Sequence, residues 1–95
     1  MPYIKLAGRN RFENLLHQVV QTMPSDAGEL NYLISRIVDT YIQVKSKNYA
    51  NLNEVIGVLE CVKQEYYRRI ISVYENSKMA ESGDVYGFLP QKQEK

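Results

Sequence analysis

From Phe12 onward, apolar residues return every three or four positions. Phe12, Leu15, Leu16, Val19, Val20 and Met23 lie on one face of a helix. Asn10 and Glu13 precede this run with the spacing of a capping box, and Pro24 closes it, so the pattern predicts a helix over about residues 11–22. A second run, from Leu30 through Ile34, Ile37, Val38 and Ile42 to Val44, opens with Asp26 and Glu29 at the same spacing. It predicts a helix over 27–45 whose apolar arc is wide enough for more than one neighbour. After the polar stretch KSKNYAN, Asn51 and Glu54 repeat the box. Leu52, Val55, Ile56, Leu59, Val62, Tyr66, Ile70 and Val73 then predict a helix over 52–78, about 40 Å long. Gly57 inside it costs about 1 kcal/mol relative to alanine, and serves close helix approach or a bend, or is simply tolerated.

Residues 1–9 are too few and too mixed for a helix; Tyr3, Ile4 and Leu6 read as an extended arm. The chain should leave its last helix at Gly83, with Val85, Tyr86, Phe88 and Leu89 apolar enough to dock. No stretch alternates with period two, so no sheet is expected. The expected fold class is all-α: three antiparallel helices in one domain over 1–89, the C-terminal one long, and a flexible tail over 90–95. A helix of that length exceeds what so small a monomer needs, which points to completion by a homo-oligomer.

Composition narrows the picture. Ninety-five residues leave little room for a second core. Twelve Lys and Arg against eleven Asp and Glu give no basic surplus for binding a DNA or RNA polymer, without excluding a local basic pocket. The single cysteine, Cys61, permits no intrachain disulfide and fits a reducing cytoplasm. No apolar run approaches the roughly 20 residues that span a bilayer, and MPYIKLAGR lacks a signal-peptide core. These features predict a cytoplasmic protein with no membrane partner. Eight tyrosines beside two phenylalanines and no tryptophan supply rings with a hydrogen-bonding tip, suited to a wet pocket or an interface.

Catalytic chemistry is hard to find. One His and one Cys cannot make a metal cluster within a chain. Glu54, Glu60 and Glu65 do not share a face, and His17 reads as a surface histidine. There is no glycine-rich phosphate loop and no nucleophile elbow. The expectation is no enzyme, no metal and no cofactor, with a multimeric nucleotide hydrolase left open.

The most informative stretch is ECVKQEYYRR, residues 60–69. At about 100° per residue, Lys63 falls inside the apolar arc of the third helix. Glu60, Lys63, Tyr67, Tyr74 and Lys78 form a polar and aromatic stripe along one edge of that arc. Cys61, Gln64, Glu65 and Arg68 face outward, and Arg69 sits on the opposite margin. A buried, unpaired ammonium is costly. Lys63 therefore either snorkels or pairs with Glu60, or points into a cavity between helices or subunits and meets an anionic ligand, with Tyr67 and Tyr74 as stacking faces. On the second helix, Tyr32 and Arg36 are spaced for a surface stack, yet Arg36 has the donor fork that suits phosphate. Asn31, at the edge of the apolar face, could read a polar ligand edge.

The segments MPYIK, GELNY, NEVIGVLE, the YRR of 67–69, the YE of 74–75 and GDVY together resemble a family of short proteins, widespread in phages and bacteria and characterised only as a domain of unknown function. The resemblance covers nearly the whole chain. Two positions depart from it: Val73 stands where the family has proline before YE, favouring continued helix, and SGDVY replaces NGDVY. The resemblance implies no activity. By size, expected assembly and a cationic-aromatic edge, the chain is similar in type to phage sponges that sequester nucleotide signals of bacterial immunity. The expected ligand is then a phosphate-bearing nucleotide, held by Lys63, Tyr67, Glu60, Tyr74, Arg69, Arg36 and Asn31. The alternative is a helical protein–protein interaction module with no small-molecule ligand.

Overall fold

The computed structural model describes residues 2–87, and these are helical with no strand. The docking expected of Phe88 and Leu89 and the flexible tail expected over 90–95 lie outside the described residues. The chain falls into two compact units, Met1–Val62 and Lys63–Lys95.

In the first unit, α1 (Leu6–Asn10) is a single turn where an extended arm was expected. Arg9 secures it: its backbone N–H donates to the Lys5 carbonyl and its Nε to the Ile4 carbonyl at 2.6 Å. Asn10 thus ends α1 and caps nothing. The following helix, α2 (Glu13–Gln21), begins two residues later than the pattern predicts, with Phe12 at its N-cap and no side-chain cap bond. It ends before Pro24 as expected.

Helix α3 (Ala27–Lys45) starts where the sequence placed it. Asp26 Oδ1 accepts the Glu29 N–H at 2.8 Å. The return arm differs from a capping box, because Glu29 Oε1 accepts from the backbone N–H and hydroxyl of Ser25, at 2.9 and 3.0 Å, instead of from Asp26. Those bonds, the backbone one foremost, hold the Glu29 carboxyl below its ordinary pKa. α3 stops at Ser46, which takes φ 142° and ψ 149°, a region other residues leave to glycine. The strain is held from several sides. Ser46 N–H donates to the Ile42 carbonyl, its own carbonyl accepts from Asn48 N–H and Asn51 Nδ2, and its hydroxyl oxygen accepts from Asn48 Nδ2.

Helix α4 (Tyr49–Tyr66) begins three residues earlier than predicted. Asn48 is its cap, with Oδ1 accepting the Asn51 N–H at 2.9 Å. Asn51 has turned back to Ser46, and Glu54 instead accepts the Tyr41 hydroxyl at 2.9 Å, a bond from α3 to α4. Ile42 and Val55, 6% and 9% exposed, are the buried apolar side chains among the described residues.

In the second unit, the chain passes from α4 through a π turn (Tyr67–Ile71) into α5 (Ser72–Ser82). The Ser72 N–H reaches the Tyr67 carbonyl, five residues back instead of four. Helix continues through Val73, as its replacement of proline implies, and ends at Gly83, whose φ of 89° suits glycine. The expected long C-terminal helix is present, but interrupted.

Candidate functional site

The π turn changes which side chains share a face. At about 100° per residue, Tyr67 and Tyr74 lie about 20° apart on a continuous α-helix. One extra residue in the widened turn separates them by about 120° instead. By the same count Glu75, eight positions from Tyr67, moves from about 80° off to about 20° off. The contacts follow this phase: the Tyr67 hydroxyl donates to Glu75 Oε1 at 3.2 Å. That bond, with the nearby Glu75 charge and a smaller push from Tyr86, raises the Tyr67 pKa. The single stripe through Glu60, Lys63, Tyr67, Tyr74 and Lys78 is therefore turned at residues 67–71. The same slip explains the isoleucines, since Ile71 is half-buried while Ile70, the one placed on the apolar arc, is 51% exposed.

Beyond the turn, the Lys78 ammonium sits 5.6 Å from the Tyr74 ring centroid and 3.6 Å from Glu81. Before it, Arg68 pairs with Glu65 at 2.6 Å; Arg68 is open to solvent, but the Glu65 side chain is only 18% exposed, against the outward position expected for it. Lys63 and Arg69 are both exposed. A hollow of ≈ 360 Å³ runs beside Glu75, Lys78, Met79, Gly83 and Tyr86.

In the first unit, Glu60, Arg36 and Asn31 are exposed. The expected Tyr–Arg stack is present: the Arg36 guanidinium lies 5.8 Å from the Tyr32 ring centroid and donates to its hydroxyl at 3.0 Å. Asn31 Oδ1 accepts from the Ser35 hydroxyl at 3.1 Å. A third ring, Tyr41, carries Lys45 at 5.8 Å, and its bond to Glu54 raises its pKa. Cys61 is exposed, as expected. An added Cβ at Gly57 would meet nothing within 4 Å, so no neighbour in the chain requires a glycine there.

A groove of ≈ 470 Å³ runs between α3 and α4, with Ile42 and Val55 in it and Ile34, Val38, Leu52 and Leu59 beside them. The seven candidate ligand residues do not line it. The sequence marked its apolar residues as core; what the pattern could not show is that the described residues of one chain leave them open. Helical spacing does not mark Glu54 and Glu75 as phenol partners. The pattern assigns Glu54 to a capping box, and Glu75 comes into line only through the π turn. Among the described residues, no three His, Cys, Asp or Glu side chains converge to hold a metal ion, and no helix is long and apolar enough to cross a membrane.

Residues 1–85 match a family described as a domain of unknown function, DUF6899. The chain belongs to that family. No curated protein and no solved structure matches it. The family match runs through both units and ends two residues after Gly83, so the π turn and the α3–α4 groove both lie in the family's own span.

Proposed function

We propose that the chain is a helical interaction module that works by assembling with protein partners and not by catalysis. The observation that carries this reading is the uncovered apolar surface. Leu15, Leu16, Ile37, Ile56 and Val62 are each more than half exposed, and Ile34, Leu52 and Leu59 more than a third. Apolar surface on this scale marks a partner site in soluble proteins. The polar groups, by contrast, are largely engaged along their own helices, as in Tyr32–Arg36, Asp39–Gln43 and Tyr74–Lys78. Native mass spectrometry of freshly purified protein tests the reading. A stoichiometric complex, of copies or with another protein, supports it; a bare folded chain at every concentration sinks it.

A narrower reading has the assembled copies sequester a phosphate-bearing nucleotide in the host cytoplasm, as a phage anti-defence sponge. A separate observation favours it: Tyr32, Tyr41 and Tyr74 each carry a cation four residues on, and the Tyr32 and Tyr74 rings are more than half exposed. In that reading Lys63, Arg36 and Arg69 meet phosphates or ribose hydroxyls, Tyr67 and Tyr74, turned apart on one chain, stack a base from different copies, and Glu60 and Asn31 read its polar edge. Calorimetry with cyclic and linear nucleotides should then give binding that Lys63→Ala weakens about tenfold or more. Silence across the panel removes the nucleotide and leaves the module.

A further inference from the structure

Among the described residues, the groove between α3 and α4 has a floor and no cover. Ile42 and Val55 lie at its base, and Ile34, Val38, Leu52 and Leu59 wall it. Along α4, Leu52, Val55, Leu59, Val62 and Tyr66 are spaced alternately three and four apart. That is the seam of a helix packed against a partner helix along its length. Two antiparallel helices joined by a short turn, with one apolar groove between them, make half of a four-helix bundle. Resting on the interaction-module reading, we infer that the occupant is a second copy of this chain. Its own α3–α4 groove closes the first across a two-fold axis, and the apolar positions become the shared layers of one core.

Two observations select a second copy. The first is dependence. Among the described residues only two apolar side chains, Ile42 and Val55, are buried, too few to offset the entropy of ordering the hairpin, so its partner must be present whenever the chain is, and another copy meets that condition by construction. The second is charge. The groove is lined by one carboxylate and one ammonium, Asp39 and Lys47. In a two-fold interface, residue i meets j and j meets i, so a surface bearing both signs is complementary to itself. The net charge of +1 adds little repulsion between copies.

Equilibrium sedimentation at low ionic strength tests this, with circular dichroism alongside, on the wild type, Asp39→Lys, Lys47→Asp and the double reversal. These side chains stand outside the apolar floor, so folding is kept and association is read directly. The wild type is expected as a dimer or an even multiple. Each single reversal should loosen self-association about 3- to 10-fold, and the double reversal should bring it back to within about twofold. A wild type that is helical and monomeric at micromolar concentration overturns the inference, as does a double reversal no tighter than the singles. If that helical monomer holds a different protein in the groove, the inference alone falls. If nothing covers the groove, the interaction-module reading falls with it.

Discussion

Tyr67 and Tyr41 each donate a phenolic hydrogen bond to a carboxylate, Glu75 and Glu54 respectively. The bond exists only while the phenol keeps its proton, and ionisation would set two negative charges side by side, so both pKa values are raised from 10.0. A pKa that is higher in the folded state contributes stability that is whole below the unfolded value and is lost as pH climbs through the folded one. The window therefore lies above about pH 10. Ultraviolet titration should show a late phenolic component that shrinks in Tyr67→Phe and again in Tyr41→Phe. Coincident ionisation of all the tyrosines would contradict the geometry. The Glu29 carboxyl works in the opposite sense: its lowered pKa contributes at neutral pH and fades as pH falls below 4.5.

At the scale of elements, the turn from α3 to α4 decides where a helix begins. Asn48→Ala should cost about 1 kcal/mol in denaturant unfolding, the usual loss for a polar N-cap, and it checks directly that the cap is residue 48 and not 51. The sequence pattern reads Asn51 to Glu54 as the frame, whereas the folded turn uses Asn48 to Asn51, three residues earlier. The earlier one prevails because the Asn51 amide is drawn back to the Ser46 carbonyl, which only the folded turn presents. The start of α3 was legible because Asp26 has no rival, and the exit at Gly83 because only glycine suits its φ. The single turn α1 was not, since the backbone and side-chain bonds of Arg9 that secure it are not registered by periodicity. Nor was the π turn, because a wheel built at a constant angle cannot contain it. The stripe through Lys63 and Tyr74 was drawn on such a wheel, and the turn redirects it.

At the scale of the whole molecule, stability should depend on how much protein is present. If copies complete one another's core, thermal unfolding midpoints rise with concentration, by several degrees over a hundredfold range. A midpoint indifferent to concentration would show that each chain stands alone. The all-α class and the family membership are properties of the sequence as a whole and were readable from it; the open groove is a property of one chain seen without a cover. The π turn has a consequence for how relatives of this chain should be compared. It behaves like a one-letter insertion in a reading frame: every residue after Ile71 keeps its identity but changes its bearing. Removing a single residue from 67–71 should straighten the helix, turn Ser72–Ser82 by about 100° and part Tyr67 from Glu75. Gap placement in an alignment here is thus a statement about which way the last helix faces.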